Sequence, residues 1–363
     1  MFLFVGSNNE DAGDGLRTLR IDPTSGVVSE VSRVHDAKNP IYLAVSSDAK
    51  WLYAAEDVSE HVPDCPAGRP GGVSSFRVEA DGSLTRVASV ALAPTVPCHV
   101  SLSADGTRLA WAEYRKAHAG VVALGDGGAL SPVASVHHEG RGPNPVRQES
   151  AHCHWAGFAP DDRTILVCDL GLDRVFAYEC DEAAGTMRHI VPSRDYVAPG
   201  GHGPRHIAFL PGTDLAGLVC ELASTATLLR IPRDGGPIAA LDSHSLLPEG
   251  WSGTTKAAAI RFSPDGKWLL ASNRGHDSVA AFRVDAAAGT LSAGPISRLD
   301  GPFPRDFAFV PGGHGLVVLG HKLAGEVAVY RFDSATGALS RVPGVSYRME
   351  KPLAFVFAPE AGE

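Results

Sequence analysis

The chain has 363 residues, a net charge of −9 and 44% hydrophobic content, with 40 glycines and 26 prolines. The acidic balance argues against nucleic acid or an anionic membrane surface as partner, and no apolar run approaches the roughly 20 residues of a membrane span. The opening MFLFV is too short for a signal-peptide core and lacks a basic start, so a cytoplasmic protein is expected.

In chain order, residues 1–8 (MFLFVGSN) read as a strand, and 15–22 and 27–34 as two more. Residues 40–57 (PIYLAVSSDAKWLYAAED) alternate, break at a polar turn and run apolar up to an acid. The same hairpin grammar returns at 97–114 (PCHVSLSADGTRLAWAEY), 153–170 (CHWAGFAPDDRTILVCDL), 203–222 (GPRHIAFLPGTDLAGLVCEL), 257–274 (AAAIRFSPDGKWLLASNR) and 304–321 (PRDFAFVPGGHGLVVLGH). At 352–359 (PLAFVFAP) it is cut short by the chain end. Seven starts, at 40, 97, 153, 204, 257, 304 and 352, give a period near fifty with several short strands per unit. That period indicates a β-propeller. The last unit lacks its second, third and fourth strands, and the three N-terminal strands supply them. Closure of this kind leaves no blade incomplete and no sheet edge open. The expected fold is all-β, a seven-bladed β-propeller in one domain over residues 1–363, closed by N- and C-terminal strands sharing a blade.

The connections are less regular. The loop 58–72 holds His61, Asp64 and Cys65, either a metal cluster or a plain surface loop. His118, His137 and His138 read as solvated loop positions. The connector 141–149 (RGPNPVRQE) either lies over one end of the central channel or is a plain linker. The six cysteines, at 65, 98, 153, 168, 180 and 220, form no CxxC pair. Cys168 and Cys220 fall at the same place in neighbouring repeats, and buried reduced thiols are expected.

Aligning the hairpins on their turns gives columns. On the inner strands one column reads Ile41, Cys98, His154, Arg205, Ala258, Arg305 and Leu353. Two residues earlier, on the same face, stand Asn39, Val96, His152, Gly203, Lys256, Phe303 and Lys351. The second-strand column reads Gly6, Glu56, Glu113, Asp169, Glu221, Asn273 and Gly320. Inner-strand starts and second-strand ends are adjacent in a hairpin, so these polar residues ring one channel mouth. Charges ending buried strands need partners. A structural ion-pair ring supplies them, and so does a ligand pocket. Blade mortar should repeat in every blade, whereas His and Arg cluster in blades three to six.

His154 beside Glu221 forms an acid/base pair for neutral pH, with either as the base. Arg205 and Arg274 offer planar donors to a carboxylate or phosphate. Such a set suits a small anionic molecule gaining or losing water or a carboxylate. His152 and His154 form an alternative metal pair. No nucleophile elbow, phosphate-cradling glycine loop or dinucleotide fingerprint is present, so neither cofactor nor metal is expected.

HCHWAGFAPDDRTILVCDLGLDRVFAY, GPRHIAFLPGTDLAGLVCEL, SPDGKWLLASNRGHDSVAAF and FPRDFAFVPGG resemble the seven-bladed propeller lactonases. That family includes propeller-type 6-phosphogluconolactonases and the fungal 3-carboxy-cis,cis-muconate lactonizing enzyme. The resemblance runs from the first strand to the last. It implies that His154, Arg205, Glu221 and Arg274 are catalytic. Family members often have proline before the HxH, where this chain has Ala151. The function expected is hydrolysis of a sugar-acid lactone, most like 6-phosphogluconolactone. Further substrate contacts are expected from His152, Asp169, His206, Lys256 and Arg305, with a small anionic lactone or carboxylate as the partner. Alternatives are a muconate-type cycloisomerase, a non-catalytic binding propeller and a calcium-dependent sugar-lactone hydrolase. Oligomeric state is left open.

Overall fold

Each hairpin turns on a short polar signature. The hydroxyls of Ser46, Ser103 and Ser263 donate at 2.6 Å to the aspartate two residues on, Asp48, Asp105 and Asp265. The next residue takes a left-handed φ, +70° at Gly106 and +69° at Gly266. Ala49 holds the same place at +57°, where a Cβ is costly. The flanking alternation of apolar residues then pairs as antiparallel strand.

The computed structural model describes residues 1–8, 15–62 and 70–359. Asp64 and Cys65 of the candidate loop cluster lie outside them. Seven antiparallel sheets form the ring, six of four strands and one, blade three, with a fifth short strand, Tyr196–Val197. The inner strands of blades one to seven are Lys38–Val45, His99–Leu102, Cys153–Phe158, Pro204–Phe209, Lys256–Phe262, Pro304–Phe309 and Pro352–Phe357. The N-terminal strand Phe2–Ser7 pairs with Pro352–Phe357 on one side and Leu16–Ile21 on the other, and Val28–Val34 completes that blade. The termini thus share a blade, as the repeat count requires. Two single 3-10 turns, Asp126–Gly128 and Pro192–Arg194, are the helical content of the described residues. No helix among them is long and apolar enough to cross a membrane.

The core is divided between the blades. Seven apolar clusters lie at the seven blade-to-blade contacts. The one at the closure packs Phe4 and Leu16 of blade seven against Leu43 and Leu52 of blade one. Burying each such side chain contributes about 1.5–3 kcal/mol, so every blade is held by two neighbours. The five cysteines described are free, four of them buried.

Two details of register aim the site. Inner-strand pairing slips between Cys153 and Trp155, Pro204 and His206, Ala257 and Ile260, and Pro304 and Phe307. The slips fall at His154, Arg205, Ala258 and Arg305, so in blades three to six the first sequence column is a column of β-bulges. A bulge turns its side chain out of the ladder and leaves backbone groups unpaired.

The second-strand column needs correction. Asp169 pairs with Cys153 and Arg174. In the same register blade four has Cys220, paired with Pro204 and Thr225, and blade six has His321 rather than Gly320. At the closing blade Ser7, not Gly6, faces Pro352. Cys168 and Cys220 are therefore one residue out of step. Glu221 shares its register with Leu170, Arg274 and Tyr114, not with Glu113 and Asp169. Because strand side chains alternate, one residue of slip reverses the face. Glu56 instead pairs with Arg86 inside blade one. Glu113 accepts from the N–H groups of Arg115 and Lys116 at 2.7 and 2.9 Å. Those acids are structural mortar.

Candidate active site

At the mouth where the second strands end, three side chains meet on one carboxylate oxygen of a fourth. Oε2 of Glu221 accepts from Nε of Arg205 at 3.0 Å and from Nη2 of Arg274 at 2.7 Å, and Nε2 of His154 lies 3.9 Å from it. All four residues are at least nine-tenths buried. Blades three, four and five contribute them. The bulge of blade five supplies the matching acceptors: Arg205 Nη1 donates to the Ala258 carbonyl at 2.6 Å, and Arg274 donates to Lys256 and Ala257 carbonyls at 3.1 and 2.6 Å.

The connector 141–149 does lie over this mouth. Nη2 of Arg147 donates to Oε1 of Glu221 at 2.6 Å and to the Tyr114 hydroxyl at 3.2 Å. The Tyr114 ring stacks on His152 at 4.3 Å and 3°. Neither Arg147 nor Tyr114 was expected from the sequence. Tyr114 was findable, since in blade two it holds the register of Glu221 and Arg274. Arg147 had no signal beyond a single charge among turn residues.

The other expected substrate contacts divide. His206 is buried with its ring against those of His154 and His99 at 5.2 and 5.1 Å, and its Nε2 has no hydrogen-bond partner. His152 sits at the rim, Nε2 3.3 Å from Glu149. It and His154 face different acids, so they do not converge as a metal pair. Lys256 joins the cluster through its backbone carbonyl. Burial and the nearby Arg274 disfavour the Arg305 charge, against the pull of Cys98, Glu221 and Asp306.

Asp169 is not brought to the mouth. Its carboxylate accepts the N–H groups of His152 and Leu172 at 2.9 and 3.0 Å and Nδ1 of His138 at 2.7 Å. The one-residue register offset turns it into the blade. His138 is accordingly buried rather than solvated, with the Tyr178 hydroxyl on its other nitrogen at 2.8 Å. His118 and His137 lie on strands, their rings stacked at 4.8 Å. Among the described residues His138, Cys153 and Asp169 are the one group of metal-type ligands that converges, within 4.8 Å. Its closest contact is the His138–Asp169 hydrogen bond.

Electrostatics set the protonation states. Burial alone would raise the Glu221 carboxyl, but Arg274, Arg205, His154 and Arg147 outweigh it and hold it well below the usual carboxylate range. Burial and the charge of Arg205 push His154 well below its ordinary value against the pull of Glu221. Burial and Arg274 bring Arg205 down to about 9, still protonated at neutral pH. Around Glu221 there are therefore a neutral imidazole and three guanidinium groups, Arg147, Arg205 and Arg274, more positive charge than that one carboxylate balances. A cavity of about 330 Å3, lined by Asn8, Asn39, Ile41, Asp57, Thr95, Val96 and Arg115, opens at the same mouth on the side of blades seven, one and two. A cavity of about 350 Å3 is lined by residues that include Tyr42, Arg261 and Asp306, and none of the four clustered residues lines either cavity.

Residues 2–357 match the family described as lactonase, 7-bladed beta-propeller. The chain belongs to this family. The match spans all seven blades of the lactonase fold. A Bacillus subtilis protein named 6-phosphogluconolactonase is 29% identical over 342 residues, 94% of this chain and 93% of that one. The structure of a Pseudomonas aeruginosa periplasmic gluconolactonase superposes with a TM-score of 0.87 at 29% identity, covering 99% of each chain. A Lactobacillus plantarum protein superposes with a TM-score of 0.86 at 27% identity, covering 98% of this chain and 99% of that one.

At this mouth a neutral imidazole can take a proton from water, and the positive charge of the guanidinium groups can stabilise an oxyanion. Cys98 lies 3.9 Å from Nδ1 of His154. Burial pushes its thiol up to about 12, so it is not the thiolate that nucleophilic catalysis requires.

Proposed function

We propose that this chain hydrolyses a lactone that carries an anionic group, most like 6-phosphogluconolactone. The observation that carries the reading is the set of three guanidinium groups, Arg147, Arg205 and Arg274, on one carboxylate, beside a neutral histidine. An uncompensated excess of buried positive charge favours an anionic ligand, and a neutral sugar lactone would leave it unbalanced. The name of the Bacillus subtilis relative points to the same substrate class.

In this mechanism His154 removes a proton from water as the water oxygen attacks the lactone carbonyl. The negative charge that forms on the carbonyl oxygen is stabilised by the positive charge of the guanidinium groups around Glu221. The imidazolium returns its proton to the ring oxygen as the carbon–oxygen bond breaks, giving the hydroxy acid. Glu221, ionised throughout, steadies the imidazolium while it exists. A muconate cycloisomerase must deliver a proton to carbon. At neutral pH neither His154 nor Glu221 rests in its acid form, so hydrolysis is favoured over that reaction. A cytoplasmic site of action is part of the proposal and is supported by cysteines that remain unpaired.

The test is the rate of 6-phosphoglucono-δ-lactone hydrolysis above its spontaneous rate, beside glucono-δ-lactone and 3-carboxy-cis,cis-muconate. The phosphorylated lactone should give the highest kcat/KM. No excess rate on either lactone, or turnover of the muconate alone, contradicts the proposal.

A further inference from the structure

We infer that Arg147, on the connector between blades two and three, holds the anionic group of the substrate and sets the preference for it; the inference rests on the lactone-hydrolase reading above. Arg205 and Arg274 were the sequence's candidates for that task, but both are turned toward protein. Arg205 binds Glu221 and the Ala258 carbonyl. Arg274 binds Glu221 and the carbonyls of Lys256 and Ala257. Their work is to fix the carboxylate and the bulge of blade five.

Arg147 differs in two respects. Its Nη2 is engaged by Glu221 and Tyr114, but its Nη1 is buried with no hydrogen-bond partner. A buried donor without an acceptor is costly and is rare in native proteins. An oxyanion from the substrate supplies the missing acceptor, and a phosphate ester presents several oxygens to the planar fork.

The connector is also built to hold this arginine in place. Gln148 is fully buried, accepts from the Asn144 N–H at 3.0 Å and donates to the Leu170 carbonyl at 2.9 Å. The Asn144 side chain accepts the N–H groups of Val146 and Arg147, both at 3.1 Å. Val146 faces out, 75% exposed, while Arg147 reaches in. A locked strap delivering one guanidinium with a spare donor is preorganised for an anion.

The experiment compares wild type, Arg147→Gln and Arg147→Lys. It measures kcat and KM on 6-phosphoglucono-δ-lactone and glucono-δ-lactone, and inorganic phosphate binding by titration calorimetry. In Arg147→Gln the preference for the phosphorylated lactone should fall by roughly 10- to 100-fold, chiefly through KM. Phosphate binding should weaken by a similar factor, and Arg147→Lys, which keeps the charge, should recover part of both. Equal losses on the two lactones with unchanged phosphate binding overturn the inference and leave Arg147 as a positioning residue for Glu221. Wild type that binds phosphate through Arg147 but turns over neither lactone removes the hydrolase reading and keeps the anion site. Wild type that binds no phosphate removes the anion site.

Discussion

Nε2 of His154 lies 3.9 Å from Oε2 of Glu221, across the boundary between blades three and four. Neither group carries a proton to spare at rest. Once His154 takes one from water, the two become opposite charges, attracted by roughly 4 kcal/mol at that separation in a partly polar interior. On the proposed mechanism the carboxylate is a counter-charge for the imidazolium, and the imidazole is the base.

Replacing that charge while keeping its shape isolates the effect. Glu221→Gln should lower kcat by roughly 10²- to 10³-fold with a smaller change in KM. It should also lower the melting temperature, because Arg147, Arg205 and Arg274 lose their shared partner. Steady-state kinetics and a thermal melt check both.

The pH profile follows from the direction of the His154 shift. Its pKa is lowered in the fold, and on the proposed mechanism the neutral form is the active one. Activity is therefore complete above the ordinary histidine value near 6.5 and is lost only as pH falls through the depressed value. After subtraction of spontaneous hydrolysis, kcat/KM at pH 6 should match that at pH 7. A midpoint at or above 6.5 contradicts the assignment of His154 as base.

Asp169 separates mortar from machinery. Asp169→Asn leaves His138 facing an amide donor in place of its acceptor, at a cost of about 1–3 kcal/mol. The denaturation midpoint should drop while kcat stays within about threefold of wild type. A collapse of kcat in a folded variant would return Asp169 to the active site.

Gly6 tests the closure of the ring. A Cβ there would sit 2.0 Å from the backbone oxygen of Pro40, in the next blade. Backbone cannot swing aside, so Gly6→Ala should destabilise by about 1–3 kcal/mol through overpacking. An unchanged denaturant midpoint would mean that blades seven and one do not meet in this way.

The fold was legible because its repeat is long and its turns are chemically marked. Ser103–Asp105 and Ser263–Asp265 announce the same corner wherever it recurs, and the missing strands of the last blade appear at the N-terminus. The inner-strand column was legible for the same reason. His154, Arg205 and Arg305 stand at equal distances from their turns, and the structure makes each a bulge. The second-strand ends were misread by one residue because acids were aligned with acids. Chemistry placed Glu221 beside Asp169, and hydrogen-bond register places it beside Arg274. His138 read as solvated because its partner Asp169 comes from the next blade. Arg147 was invisible because no periodicity links a connector residue to a carboxylate 74 positions away.

The most direct test is a double-mutant cycle on hydrolysis of 6-phosphoglucono-δ-lactone with wild type, His154→Gln, Glu221→Gln and the pair. If imidazole and carboxylate act as one unit, each single change removes most of the rate above background and the pair removes little more. Single variants that hydrolyse the lactone as fast as wild type, or losses that simply multiply, would contradict it.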